Sequence, residues 1–389
     1  MKKFAELEDF ASAEAEMLRI RHHLHAHPEL SFQEENTAAF VSGKLEQWGY
    51  EVTRNVGGHG VVGRLREGDG NRSIAIRADM DALPITEVTE SEYASTAPGI
   101  MHACGHDGHT TMLLGAAEYL ARTRNFSGTL NLIFQPAEEV GPNGGAKAMI
   151  ADGLFERFPC DAIFGLHNHP GAPAGTILMR SGPLMAAADT VNITLHGKGG
   201  HAARPHLCID PIVVGSSIVM ALQTVVSRSV DSTETAVVTV GTFNGGTATN
   251  VIAQSASLSL SVRTFSPEVR ALIKDRIYMI VETQAESWGA TVDIEYDSGH
   301  PIVFNAPEET AFATEVATEL TGEGSVPECA LIPGSEDFSH YLDHKPGCFI
   351  RLGNGEDSAA LHTPNYDFND RSLTTGAALW ARLAERYLS

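Results

Sequence analysis

Apolar and polar positions in the first half of the chain alternate between the spacings typical of helices and of strands. Apolar residues recur at helical spacing over residues 4–27 and 34–48. Shorter apolar runs predict strands at 50–56, 61–65 and 73–77, and in the later runs GTLNLIF and AIFGLH. Polar residues follow several of these runs directly. The pattern predicts an open α/β sheet whose functional site lies at the carboxyl ends of the strands.

The spacing changes near residue 186. From there the predicted elements follow the order βαββαβ, the order of a ferredoxin-like unit of about 100 residues. After a first strand in DTVNITLHGKG, they lie at 210–227, 236–243, 255–264, 267–288 and 291–296, and helical spacing returns at 308–321 and 371–387. If His362 acts together with polar residues of the first half, residues 1–185 and 299–389 form one discontinuous catalytic domain. Residues 186–298 are then an insertion.

The segment MHACGHDGHT, residues 101–110, contains several candidate metal ligands in a loop that runs into a predicted helix. Cys104 and His106 are one residue apart, and on irregular backbone both side chains can reach one point. A thiolate beside imidazoles is typical of a transition-metal site, with zinc as the borderline-soft choice. The alternative is a histidine-rich helix start in which Cys104 is a small core residue. The density of candidate ligands favours the metal site.

Further polar groups follow other predicted strands. Glu138 and Glu139 come directly after an apolar run, and DAIFGLHNHP carries His167. Two adjacent carboxylates can divide their roles, because one can bind a metal while the other takes a proton from water. Asp79 and Asp81 follow the strand at 73–77; Asp81 is interpreted as structural.

Composition excludes several classes of function. The net charge of −22 argues against nucleic acid or an anionic membrane as a partner. Five scattered cysteines form no disulfide framework and suit a reducing cytosol. The first residues lack the pattern of a signal or transit peptide, and no apolar run approaches the length of about 20 residues that a membrane span needs. We therefore expect a cytoplasmic protein.

Eight motifs together resemble one family. RADMDALPI, HACGHDGHT, FQPAEE, GLHNHP, GKGGHAARPH, TATNVI, GSEDF and LHTPNYDFND occur in this order. They are similar to those of the dinuclear-metal aminoacylase and carboxypeptidase superfamily, particularly the hippurate hydrolases and the auxin-conjugate (IAA-amino acid) hydrolases. The resemblance covers nearly the whole chain. It implies an α/β zinc-peptidase-like catalytic domain with an inserted ferredoxin-like α+β lid and dimerisation domain.

The resemblance also implies a ligand set for two divalent ions. Cys104 would bridge both ions, His106 and His167 would complete one site, and Glu139 and His362 the other. Zinc suits this set best, and manganese, cobalt or nickel are alternatives.

One position departs from the family pattern. Arg77 stands where many relatives carry a ligating histidine, so His106 would supply that ligand. Asp79 would then orient a ligating histidine, with a simple turn carboxylate as the alternative.

Roles for three residues of the insertion rest on the resemblance alone. It implies that His201 donates to the developing oxyanion in the partner subunit's site, within a homodimer. Asn250 and Arg263 match positions that bind the substrate carboxylate.

The sequence thus predicts a metal-dependent amidohydrolase that cleaves an N-acyl amino acid to a carboxylate and a free amino acid. Glu138 would be the base, supported by Asp79 and His201. A dipeptidase or other metallopeptidase on the same residues is the nearest alternative. The alternative from another class is a protein that binds conjugates without hydrolysing them. Glu138 argues against it, because a pure binding site has no need for a carboxylate that lies beside the metal without binding it.

Overall fold

Helices and strands alternate along residues 4–389, which the computed structural model describes. The helices are α1 (Glu14–Ala26), α2 (Glu35–Gln47), α3 (His106–Thr123), α4 (Gly145–Ala151), α5 (Leu154–Arg157), α6 (Pro211–Ser229), α7 (Pro267–Ser287), α8 (Pro307–Thr321), α9 (Ser339–Leu342) and α10 (Leu373–Tyr387). The strands are β1 (Glu51–Val56), β2 (Gly60–Glu67), β3 (Ser73–Asp79), β4 (Gly128–Gln135), β5 (Ala162–Pro170), β6 (Ile177–Leu178), β7 (Gly182–Met185), β8 (Ala187–His196), β9 (Gly200–His201), β10 (Ala236–Gly245), β11 (Val251–Ile252), β12 (Ser255–Thr264), β13 (Thr291–Ser298), β14 (Val303–Asn305) and β15 (Gly347–Gly355).

The first of two structural units contains a seven-stranded sheet. The unit comprises Met1–Gly182, Phe304–Ala330 and Asp337–Ser389. Its strands lie in the order β1-β2-β4-β3-β5-β15-β6, and the central four are parallel. These central strands are buried almost throughout, which explains their continuous apolar runs. The predicted α/β class is confirmed.

One predicted helix of this unit is interrupted. Instead of a single helix over 4–27, a 3₁₀ turn at Leu7–Phe10 precedes α1. The Glu6 backbone N–H donates to the Asp9 carboxylate at 3.0 Å, and the Asp9 N–H donates to the Glu6 carbonyl at 3.1 Å. These local hydrogen bonds favour a closed turn over a continuing helix.

The second unit has the chain order βαββαβ and comprises Pro183–Val303 with Leu331–Glu336. Its antiparallel sheet has the strand order β10-β12-β8-β13. Alternate residues of β8, including Val191 and Ile193, are buried, whereas Thr190 and Asn192 are exposed. The buried residues form one core with α6 and α7, as expected for a sheet covered by helices on one face.

The boundaries of this unit differ from those predicted. Residues 331–336, expected in the catalytic domain, belong to the second unit. The backbone explains the difference: the Ala186 N–H lies 3.1 Å from the Ile332 carbonyl oxygen, and the Ile332 N–H donates to Leu184 at 2.9 Å. Sequence spacing carries no signal for such a pairing between two short segments that are distant in the chain.

Helix α6 is long and apolar enough to cross a membrane by length and composition. In the second unit, however, Val214, Ile218, Leu222 and Val225 of this helix are buried in the core with β8 and β12. One face of the helix therefore packs inside the unit, whereas Ile212, Val213 and Met220 are exposed.

Candidate metal centre

Polar side chains of the first unit gather where three of its parallel strands end. Asp79 is the last residue of β3, Glu138 and Glu139 follow β4, and His167 lies near the end of β5. The carboxyl ends of parallel strands share one edge of a sheet, which brings these side chains together.

The structure brings the five predicted metal ligands into one cluster. Nitrogen or sulfur atoms of Cys104, His106 and His167 lie within 4.8 Å of one another, and the same limit holds for the ligand atoms of Cys104, Glu139 and His362. The Cys104 Sγ is 3.3 Å from the His167 Nε2, and the His362 Nε2 is 3.2 Å from the Glu139 Oε1. Cys104 is thus common to both groups of three.

The buried atoms of this cluster fit a divalent cation. The Nε2 of His106 is buried and, among residues 4–389, has no hydrogen-bond partner. It lies 3.7 Å from an Asp79 oxygen and 3.9 Å from a Glu139 oxygen. One thiol, three imidazoles and a carboxylate form a donor set suited to zinc and similar transition metals.

Electrostatics also favour a cation here. Burial raises the pKa of the Cys104 thiol well above its usual value, and the nearby carboxylates of Glu139, Glu138 and Asp79 raise it further. Only the thiolate is a good metal ligand. A divalent cation would offset this concentration of negative charge and stabilise the thiolate.

Asp81, for which the sequence predicted a structural role, orients His106. The His106 Nδ1 lies 2.9 Å from the Asp81 carbonyl oxygen and 3.2 Å from its carboxylate. Donation from Nδ1 leaves Nε2 as the atom that faces the cluster. Asp81 also accepts a hydrogen bond from the backbone N–H of Glu139 at 3.0 Å, so this one carboxylate links two of the predicted ligands.

Asp79 has different partners from those expected. Its carboxylate lies 2.6 Å from the Nδ1 of His109 and accepts from Arg77 at 2.6 Å. Despite its burial, the charges of His106, Arg77 and His109 hold the pKa of Asp79 well below its usual value. The hydrogen-bonded histidine is therefore His109, which is outside the predicted ligand set. The Arg77 guanidinium also donates hydrogen bonds to the side chains of Gln135 and Asp337, at 2.8 and 2.9 Å. It therefore lies in the buried floor of the site.

Asn168, which the sequence did not single out, contacts both His167 and His109. The His167 Nδ1 is 2.7 Å from the Asn168 carbonyl oxygen, which leaves Nε2 facing Cys104. The Asn168 N–H donates to the Nε2 of His109 at 3.1 Å. Burial, with the positive charge of Arg351, lowers the pKa of His167 well below its usual value. His167 is therefore neutral, the form that binds metal. The only signal for Asn168 in the sequence was its position between His167 and His169 at a strand end.

A buried ion network lies beside the first turn of α3. The His25 Nδ1 is 2.7 Å from Asp107, and its Nε2 is 3.2 Å from Glu87. Arg21 also contacts Asp107, at 3.2 Å. Burial opposes protonation of His25, but the carboxylates of Asp107 and Glu87 outweigh it and raise its pKa to about 9. Charged His25 thus ties α1 to the helix that starts at His106.

This network predicts a dependence of folding stability on pH. Because the folded pKa of His25 is raised from 6.5 to about 9, its contribution should be complete below pH 6.5 and disappear as the pH rises through 9. Linkage sets the maximum at about 3 kcal/mol. Urea unfolding between pH 6 and 9.5 should show this loss in the wild type and a flatter profile in His25→Gln. His27→Gln, at an exposed position, is the matched control. Parallel profiles for the wild type and His25→Gln would contradict the prediction.

The three predicted site residues of the insertion all lie in the second unit. His201 in β9 pairs with Val251 in β11, and the Ala202 N–H donates to the Asn250 carbonyl at 3.1 Å. His201 and Asn250 are therefore neighbours, and both are exposed. Arg263 lies on β12, partly buried, between Val237 and Ala188 of the adjacent strands. It lies on a different element from the other two.

Comparison with known proteins gives consistent matches. The sequence profile of peptidase family M20/M25/M40 matches residues 75–386. A hippurate hydrolase from Campylobacter jejuni is 44% identical over 96% of this chain and 97% of its own. An IAA-amino acid hydrolase from Arabidopsis thaliana is 40% identical over 96% of this chain and 86% of its own. The crystal structure of a dinuclear metal-binding M20 peptidase from Bacillus subtilis superposes with a TM-score of 0.85, at 34% identity over 97% of this chain and 99% of that one.

Proposed function

This chain belongs to peptidase family M20/M25/M40, and from that premise we propose that its substrates are hippurate-like N-acyl amino acids. It is a metal-dependent amidohydrolase that hydrolyses the amide bond of N-acyl amino acids, as the sequence predicted. The observation that carries the proposal is the cluster of candidate ligands around Cys104, which includes Glu139 and has the neighbouring Glu138 beside it.

The proposed ligands are those expected from the sequence. Cys104, His106 and His167 would hold one divalent ion, and Cys104, Glu139 and His362 would hold a second. The thiolate and imidazole donors favour zinc, with manganese, cobalt or nickel as alternatives. Bound ions would supply positive charge that polarises the amide carbonyl and makes a water more acidic.

Glu138 is the proposed general base. It takes a proton from the attacking water and delivers it to the leaving amine. Glu138 lies with Glu139 and His106 in a group whose ligand atoms are within 4.8 Å of one another, so its carboxylate lies at the proposed metal centre. Asp79 supports the site by holding Arg77 and His109.

His201 is the proposed oxyanion donor. Its Nδ1 accepts a hydrogen bond from the Ala203 N–H at 3.1 Å. A neutral imidazole that accepts at Nδ1 carries its proton on Nε2, so it can donate to a developing negative charge.

Arg263 and Asn250 are proposed to bind the free carboxylate of the amino acid. Arg263→Ala should weaken the binding of N-benzoyl, N-acetyl and N-indoleacetyl amino acids, because a charge-assisted hydrogen bond is lost. Esterified versions of these substrates should be poor for the wild type and little changed in the variant. Steady-state kinetics on the two series measure this. Arg228→Ala, which removes an exposed arginine of the same unit, is the control. Equal losses on both series would indicate a structural role for Arg263.

A dipeptidase on the same residues is the alternative activity. An α-ammonium group on the acyl side needs an acidic partner, whereas a benzoyl group needs an apolar wall. Dipeptides assayed beside the acyl amino acids, with the bound metal quantified, decide between the two activities. Hydrolysis of dipeptides alone would overturn the proposed substrate class.

The proposed assembly is a cytoplasmic homodimer formed through the second unit. In that unit β10 is an edge strand, and Ile212, Val213 and Met220 of α6 are exposed. Apolar side chains and an open sheet edge together favour self-association. Cell fractionation tests the location, and recovery in the membrane fraction would contradict it.

Sharing of His201 between subunits predicts complementation. Glu138→Gln and His201→Ala homodimers should each be nearly inactive. A mixed dimer should contain one complete site, because the chain that retains Glu138 receives His201 from its partner. Random reassortment makes about half the dimers mixed, so about a quarter of the wild-type activity should return. Differentially tagged chains, refolded together and assayed, measure this. No recovery in verified mixed dimers would place His201 in its own chain's site or outside catalysis.

A further inference from the structure

A buried carboxylate of the first unit contacts the turn that carries Glu138 and Glu139. Glu34 lies just before α2 and is completely buried. Its Oε1 accepts a hydrogen bond from the backbone N–H of Ala137 at 2.8 Å. Ala137 directly precedes the two proposed functional glutamates, so Glu34 acts on the backbone from which they extend.

Ala137 has a backbone conformation that alanine rarely adopts. Its φ is +51°, in the left-handed region where a Cβ atom meets the neighbouring carbonyl. The surroundings hold it at both ends, because the Ala137 carbonyl accepts from the Gly145 N–H at 2.8 Å while Glu34 accepts from its N–H. Such a conformation persists only where neighbouring groups enforce it.

The same Glu34 oxygen holds a second residue of this kind. The Phe32 N–H donates to it at 3.0 Å, and the φ of Phe32 is +60°. The other oxygen, Oε2, is buried and has no hydrogen-bond partner among residues 4–389. Burial and the negative charge of Asp81 raise the pKa of Glu34 to about 7. Burial of this carboxyl group costs desolvation free energy. The hydrogen bonds from the Phe32 and Ala137 backbone N–H groups offset part of that cost.

The neighbouring Ser31 reaches the other side of the same turn. Its hydroxyl donates to Asp81 at 2.7 Å, and Asp81 accepts from the Glu139 N–H and contacts His106. The backbone of Glu29 also accepts from the Ala82 N–H at 2.9 Å. The segment HPELSFQE, residues 27–34, therefore contacts both turns that present the cluster.

We propose that Glu34 is a positioning residue that fixes the left-handed backbone at Ala137 and so sets the direction in which Glu138 and Glu139 leave β4. This rests on the proposed ligand role of Glu139. Without Glu34, the Ala137 backbone relaxes, and Glu139 no longer points at the cluster.

The test uses zinc affinity, measured by competition with a chromogenic chelator, and the melting temperature of the metal-free protein. Glu34→Ala should lower the zinc affinity by about 10–100-fold, the usual effect of losing a group that orients a ligand. Glu34→Gln keeps the acceptor oxygen and should stay within a few-fold of the wild type. In the Glu34→Ala background, Ala137→Gly should restore most of the affinity, because glycine adopts a positive φ without a Cβ penalty.

Phe32→Gly in the same background is the matched control. It removes the backbone strain at Phe32, the other left-handed residue whose N–H donates to Glu34 in the wild type. It should therefore raise the melting temperature without restoring zinc affinity. Equal rescue of zinc affinity by both glycines would overturn the proposal, as would unchanged affinity in Glu34→Ala.

Two further outcomes are also decisive. If Glu34→Ala does not fold but its combination with Ala137→Gly folds and binds zinc, the proposal stands; if the combination also fails to fold, Glu34 has a general structural role and the proposal is wrong. A wild-type protein that binds no zinc, manganese, cobalt or nickel would refute the proposed metal centre itself. That outcome is distinct from a metal-binding wild type whose affinity is insensitive to Glu34.

Discussion

Glu138→Gln should lower the rate of amide hydrolysis by about 100-fold or more and leave the metal content nearly unchanged. The amide is almost isosteric with the carboxylate but cannot accept the proton of the attacking water, which is the step a general base contributes. Steady-state kinetics with N-benzoylglycine, together with metal analysis of the same samples, measure both quantities. A large fall in kcat at constant metal content is the result that identifies a base.

Glu139→Gln is the matched control for this experiment. The two glutamates are adjacent in the chain, but Glu139 contacts His362 at 3.2 Å and is the proposed ligand. Its replacement should remove metal, with activity falling in proportion. Loss of metal in Glu138→Gln with only a mild loss of rate would reverse the two assignments. A wild type that binds conjugates without turning them over would support the non-catalytic alternative.

Cys104→Ala should reduce the metal bound per chain and abolish activity. Cys104 belongs to both of the proposed ligand groups, so its loss would remove a donor from each. The effect on metal content should exceed that of replacing His362, which belongs to only one of the two groups. Metal analysis after dialysis against limiting zinc, followed by the hydrolysis assay, measures this.

Cys160→Ala separates the role of Cys104 from the general effect of removing a buried thiol. Cys160 is also buried in the first unit but is outside every candidate metal group in the part of the chain that the structure describes. It should keep full metal and full activity. Full metal and activity in Cys104→Ala would refute the dinuclear assignment.

The sequence predicted the α/β class from regular spacing, whereas the proposed ligand set was implied by the resemblance to a known family. Apolar runs that end in polar residues identify parallel strands, and their carboxyl ends must meet at one edge. That geometry predicts that polar residues after β4 and near the end of β5, such as Glu139 and His167, lie at one edge of the sheet.

The contacts around the ligands were less predictable. Asp79 and Asp81 are two residues apart, and spacing does not show which carboxylate faces His106. In the structure Asp81, rather than Asp79, contacts the His106 Nδ1. The left-handed backbone of Ala137 was equally hidden, since alanine gives no signal for a positive φ.

The place of β15 in the sheet has a consequence for synthesis of the chain on the ribosome. This strand pairs in parallel with β5, with Gly347 opposite Ile163, whereas the sheet of the second unit forms from strands between residues 187 and 298. At translation rates of about 5–20 residues per second, β15 is synthesised roughly 10–40 s after β5, and the edge of β5 is unpaired on that side until then. The inserted unit can complete its sheet in that interval, ahead of the unit that surrounds it in sequence. His362 emerges later still, so binding of metal by the full proposed ligand set would require synthesis to continue past residue 362.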